Sequence, residues 1–254
     1  MSWDPDPPDT AGGAGGIAAG WIGAQSVETQ TGTGSWTETE AERACHDVLL
    51  GMAGRLPDRL LWRLRDWLSS GAHVALRTAL PRALLRHRVG VSEDERARLR
   101  TAVLAWGGPG RLVDAVLHVD ATPEPAATFV EPGRGPGWDD TDLVLRALAP
   151  VAGGVTAVRR AWRTGSGAPV RVVLVAADGT AGGEAALTGA LQRALRARGE
   201  PDPCVEVFGP SSAPTPYHRA ALAAAEVLWR RGAGRVPPAR AGLGAEAGEL
   251  VGHG

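Results

Sequence analysis

The stretch VTAVRRAWRTGSGAPVRVVLVA, residues 155–176, decides the fold class. Val155–Trp162 and Val170–Ala176 are rich in β-branched residues, and the Gly- and Pro-bearing segment Thr164–Pro169 between them reads as a hairpin-like loop. Working outward, Val113–Val119, Ala127–Val130 and Val205–Phe208 read as further strands. Asp140–Ala149, Gly183–Arg198 and Tyr217–Arg231 read as helices. From residue 127 the order is therefore β-α-β-β-α-β followed by a terminal helix, which predicts an α+β fold with a ferredoxin-like sheet. A doubly wound α/β sheet is the alternative, because Val170–Ala176 followed by a helix also suits a parallel strand.

Upstream of that block the period is helical. Thr37 and Glu40 have capping-box spacing, so a helix is predicted from there to about Met52, with Gly54 ending it. Pro57 suits the first turn of a second helix that closes at Gly71. Leu60, Leu61, Leu64, Trp67 and Leu68 form its apolar stripe, while Arg59, Arg63 and Asp66 face elsewhere. Pro81 interrupts Ala72–His87, which predicts a kink or two short helices. Ser92 and Glu95 form a second capping box, opening a helix to Trp106 that Gly107–Gly110 breaks. Four regions follow: a Gly/Pro-rich acidic tail over 1–36 expected to be disordered, a helical Arg-rich subdomain over 37–106, an α+β subdomain over 111–231, and a second tail over 232–254.

Composition excludes several chemistries. The 27 basic residues are all arginine, and neither Lys nor Asn occurs among the 254 residues. A Walker-type phosphate loop, a Schiff-base lysine and a lysine-assisted serine are therefore impossible. Cys45 and Cys204 are too few for a disulfide framework or a cysteine-ligated zinc site. Residues 10–27 carry no charge but include six glycines, so they do not supply the run of about 20 apolar residues that a membrane span needs. The acidic, proline-rich start Met1–Asp9 is unlike a signal peptide, and a cytoplasmic location is expected. No cofactor motif is present.

Over residues 139–231 a helix, the strands at 155–162 and 170–178, a helix, the strand Cys204–Phe208 and the segment Pro216-Tyr217-His218-Arg219 follow one another. That succession is similar to the C-terminal module of SseB-like proteins, and the resemblance implies a non-catalytic module. Asp178-Gly179-Thr180 matches the end of the haloacid dehalogenase motif, but Ala176 stands where the nucleophilic aspartate belongs, so no aspartyl-phosphate can form. Asp139, Asp140 and Asp142 suit the start of a helix, capping free N–H groups. Cys45 and His46 are sequence neighbours on a helix and point apart, which rules out a dyad between them. His118 and Asp120 share one face of the predicted strand, so a metal site there needs at least one more ligand.

Charge is laid out unevenly. Residues 1–54 hold one Arg against eight acids, residues 55–100 eleven Arg against five acids, and the remainder fifteen of each. Arg77, Arg82, Arg86 and Arg88, with Arg96, Arg98 and Arg100, belong to the basic block, and the guanidinium fork suits anionic groups. Trp3, Trp21 and Trp36 lie in the acidic tail; Trp21 and Trp36 are candidate anchors for a partner or for the chain's own basic face. Trp62, Trp67, Trp106, Trp162 and Trp229 read as packing residues. The sequence thus predicts a non-catalytic regulatory or adaptor protein that binds another protein, with Arg77, Arg82, Arg86, Arg88, Trp21 and Trp36 as candidate contact residues. The alternatives are nucleic-acid binding through the Arg-rich helices, and an enzyme whose site is assembled from His118, Asp120, Asp178 and His218.

Overall fold

The computed structural model describes residues 39–121, 127–165, 167–179 and 183–232. All of them fall in one unit of the chain, Ser35–Gly254; the other unit, Met1–Gly34, and with it the predicted tail, lies outside the described residues. Among the described residues there are eight helices and four strands, so the fold is α+β. None of these helices is long and apolar enough to cross a membrane.

Five helices come first: α1 (Glu40–Gly51), α2 (Asp58–Ser69), α3 (His73–Arg86), α4 (Glu93–Ala105) and the short α5 (Gly110–Asp114). Helix α1 starts from the second of two overlapping Thr-x-x-Glu patterns. Thr39 Oγ1 accepts from Glu42 N at 3.2 Å, and Glu42 Oε2 accepts from Thr39 N at 2.8 Å. The predicted Thr37 box has the same chemistry in a frame two residues earlier, and Thr37 lies outside the described residues. The Ser92–Glu95 box opens α4 as predicted. Pro81 sits inside a continuous α3 and does not split it into two short helices. A mid-helix proline costs about 3 kcal/mol. The buried stripe Leu76, Leu80 and Leu84, which belongs to one continuous core with Val48, Leu49, Leu64 and Leu99, offsets that cost.

Two predicted strands dissolve. Val113–Val119 instead takes in the last two residues of α5 and a turn, and carries a single parallel bridge between Val91 and His118. Val113 and Val116 are both buried in the helical core, a spacing of three that belongs to a helical turn. Ala127–Val130 contributes only the Phe129–Arg163 bridge, with Val130 N donating to Trp162 O at 2.8 Å.

After α6 (Asp140–Leu148) the hairpin appears as read, β1 (Val155–Arg163) against β2 (Val170–Ala177), followed by α7 (Glu184–Ala197) and β3 (Cys204–Phe208). The predicted terminal helix is corrected to α8 (Pro216–Ala223) and a fourth strand, β4 (Glu226–Arg230). Thr215 caps α8, and pairing with β1 draws the last segment into the sheet, a tertiary gain that overrides its local helical preference. The sheet order is β3-β2-β1-β4, antiparallel at β1/β2 and β1/β4 and parallel at β2/β3. With the first expected strand reduced to a bridge and a strand added at the end, the observed order differs from both the ferredoxin-like and the doubly wound arrangement.

Strand β2 lies between two partners and is buried on both faces, which is why it reads as a continuous apolar run. Val173 and Val175 pack with Leu191 and Leu195 of α7 and Leu145 of α6. Val172 and Leu174 pack the other way, toward Ala221 of α8. The helical layer meets the sheet at β3, one of its two edge strands, whose carbonyls at Val205 and Val207 accept from Arg65 of α2 and His46 of α1 at 2.9 and 3.0 Å. Such capping protects an edge that would otherwise be open to pairing.

Candidate functional site

Helices α2 and α3 are joined by the three residues Ser70–Ala72, and the start of α2 stands beside the end of α3. Between the first half of α2 and the second half of α3 lies an open cleft of about 410 Å³. Arg59 and Arg63 line it from α2, Arg82 and Arg86 from α3, and His87 and Pro57 stand at its end. Each arginine pair is spaced i, i+4, which stacks the two side chains on one helix face. All four are exposed, whereas Leu60 and Ala79 are half-buried and Ala83 is buried. The apolar side chains therefore form the floor and the guanidiniums the rims. Among the described residues, no carboxylate stands within 4.0 Å of any of these four arginines, and only Arg63 has an aromatic neighbour, the Trp62 ring at 6.0 Å.

The structure divides the predicted arginines. Arg82 and Arg86 line the cleft. Arg77 instead donates to Trp106 O at 2.8 Å, holding the carbonyl end of α4. Arg88 is exposed just beyond α3, in the left-handed region at φ 53°, outside the cleft lining. Arg96 donates to Val116 O at 2.9 Å, Arg98 stands 3.9 Å from Asp47, and Arg100 pairs with Asp114. Trp21 and Trp36 lie outside the described residues. Sequence reading missed Arg59 and Arg63 because they point away from the stripe of α2. The signal that finds them is the short α2–α3 turn, which brings the polar faces of neighbouring helices side by side.

The residues proposed for an assembled active site fall into three separate places. His118 and Asp120 are surface neighbours at 3.7 Å, with Asp120 fully exposed. Asp178 follows β2 and pairs with Arg231 at 2.6 Å. His218 is buried in α8, its Nε2 3.2 Å from Glu206 Oε2 and its Nδ1 2.8 Å from Thr215 Oγ1. Thr215 N also donates to Nδ1, at 3.3 Å, so the ring proton sits on Nε2 and points at Glu206. Glu206 in turn holds Arg65 through both oxygens, at 2.9 and 2.6 Å. Burial pushes the Glu206 carboxyl up, but Arg65 and then His218 outweigh it and leave it below the ordinary range. This constellation is closed on itself and ties β3 to α2 and α8.

The remaining titratable candidates are likewise structural. Burial pushes the thiols of Cys45 and Cys204 well above their ordinary value, the reverse of an activated nucleophile. Burial lowers the pKa of His46 and keeps the ring neutral, its Nε2 donating to Val207 O. Asp139 and Asp142 cap α6 as predicted, and each also pairs with Arg171. Among the described residues no three His, Cys, Asp or Glu side chains converge as a metal site requires. Comparison of the chain with protein-family models, with curated proteins and with solved structures gave no match, so the α2–α3 cleft stands on its own geometry.

Proposed function

We propose that the protein is a non-catalytic adaptor or regulatory protein that holds an acidic segment of another protein in the α2–α3 cleft. One observation carries this reading: four arginines stand around an apolar floor with no carboxylate to neutralise them among the described residues. Like charges around one cleft repel, and the partner that relieves them is anionic. Exposed ion pairs contribute about 0–1 kcal/mol each, so the floor of Leu60, Ala79 and Ala83 supplies part of the affinity through apolar burial. The resemblance read in the sequence of residues 139–231, which implies a non-catalytic module, supports this reading.

Nucleic-acid binding is the second reading, favoured by the match between guanidinium forks and phosphate. Against it stands the lining itself, which offers no Phe, Tyr or Trp face on which an unpaired base stacks. Titration of the full-length protein with poly-L-glutamate and with oligo-dT, at low and moderate salt, separates the two. The adaptor reading expects glutamate polymer to bind and Arg82→Gln with Arg86→Gln to weaken it about tenfold, as loss of about 1.4 kcal/mol requires. Binding of oligo-dT alone, falling steeply with salt, replaces it with the second reading. Binding of neither polymer contradicts both.

A further inference from the structure

Four features of the α2–α3 cleft bear on the form of its occupant. First, the cations occur as two rails, Arg59 with Arg63 and Arg82 with Arg86, one on each side. Second, within each rail the spacing is one helical turn, about 6 Å along the axis. Third, the apolar side chains lie between and below the rails: Leu60 from α2, and Ala79 with Ala83 from α3. Fourth, the α3 side of the floor is built from alanine, whose small side chain lets another element come close to the helix backbone.

An occupant that satisfies all four has an apolar seam with carboxylates along both flanks, repeating at one turn. An extended strand places alternate side chains on opposite faces, so a strand with its apolar face down turns its carboxylates up and away from both rims. An amphipathic helix carries an apolar stripe flanked on both sides by polar rows, with i and i+4 carboxylates about one turn apart. This is the arrangement in which flanking charges choose the partner of a helical seam. The lining on the α3 side runs from Ala79 to His87, just past the end of the helix, nine residues spanning about 12 Å, which accommodates two to three turns of a docked helix.

We infer that the partner segment docks in the α2–α3 cleft as an acidic amphipathic helix of two to three turns, completing a three-helix layer with α2 and α3. The inference rests on the adaptor reading above and specifies the partner's chemistry: leucine-type residues along the seam, Glu or Asp on both sides of it.

The test uses the full-length protein and three probes followed by fluorescence anisotropy. One is a 16-residue peptide with Leu along a helical seam and Glu on both flanks. The second has the same composition in an order that destroys the seam, and the third is a 16-nucleotide oligo-dT. The seam peptide is expected to bind at least tenfold more tightly than its scrambled sibling and to gain helical circular dichroism on binding. Arg63→Gln and Arg82→Gln, one from each rail, each weaken the seam peptide several-fold. Ala79→Leu raises the floor and weakens the seam peptide while leaving the scrambled one unchanged. Equal binding of the two peptides overturns the helical inference and leaves the acidic-segment reading in place. Binding of oligo-dT alone, or of no probe, overturns both.

Discussion

The arginines of the sheet and the arginines of the α2–α3 cleft are the same residue put to opposite ends. On the sheet Arg160 is 1% exposed, and it holds both Asp142 and Glu226. Arg171 holds Asp139, Asp142 and Glu200, the last at 2.7 Å. The ring of Trp162 lies within 5.3 Å of both guanidiniums. Arg65 is closed off in the same manner by Glu206. Each of these charges is desolvated and compensated on the spot, as burial demands. In the cleft the guanidiniums stay in water, over a floor with no acid. A chain that uses arginine for every basic residue cannot distinguish structural from binding cations by type. The distinction lies in whether the fold supplies the counter-charge.

That contrast makes unequal demands on mutation. The largest effect belongs to Glu206→Gln, which leaves Arg65 buried beside a neutral partner and is expected to cost about 3–5 kcal/mol in denaturant unfolding. Arg65→Met combined with Glu206→Leu should cost less than Glu206→Leu alone; equal costs would deny that the pair is coupled. Acid sensitivity comes next. Burial depresses the pKa of His46 below its ordinary 6.5, so the unfolded chain takes up a proton there before the folded one does. Stability from this group is intact above about pH 6.5 and is lost as pH falls toward the depressed folded value, at up to about 1.4 kcal/mol per pH unit. His46→Gln, which retains an N–H for Val207 O, should therefore gain on the wild type between pH 7 and pH 5. Parallel stability curves in that window would show that His46 is not held neutral. A smaller gain is expected from Gln192→Leu, because both amide atoms of this buried side chain lack a hydrogen-bond partner among the described residues. Relief of their desolvation is worth about 1–2 kcal/mol in a thermal melt. Least of all, Arg82→Gln with Arg86→Gln should shift unfolding by under about 0.5 kcal/mol, since neither side chain supports the fold.

Much of the fold is legible in the sequence where a pattern is local. The Val155–Ala176 hairpin, the Ser92–Glu95 capping box and the Asp139–Asp142 cap all appear as read. The failures come where distant partners decide. Glu226–Arg230 becomes a strand because β1 offers an edge, and Pro81 stays in an intact helix because Leu76, Leu80 and Leu84 are buried around it. The candidate site divides in the same way. Arg82 and Arg86 stand out in the sequence as members of a basic block, while Arg59 and Arg63 join them only through the packing of α2 beside α3. Arg65 and Glu206 carried a sequence signal of their own, a charge beside the Leu61–Leu64–Leu68 stripe and a charge within the strand CVEVF. Nothing local to either residue names the other as its partner.

The most direct test of the contrast is a titration of the full-length protein with the acidic seam peptide, followed through arginine Nε–Hε signals by NMR. The signals of Arg59, Arg63, Arg82 and Arg86 are predicted to move together and saturate, while those of Arg65, Arg160 and Arg171, already closed by their own carboxylates, stay in place. Movement confined to other arginines, or cleft signals that stay unmoved while the peptide binds, would contradict the assignment of the α2–α3 cleft as the docking site.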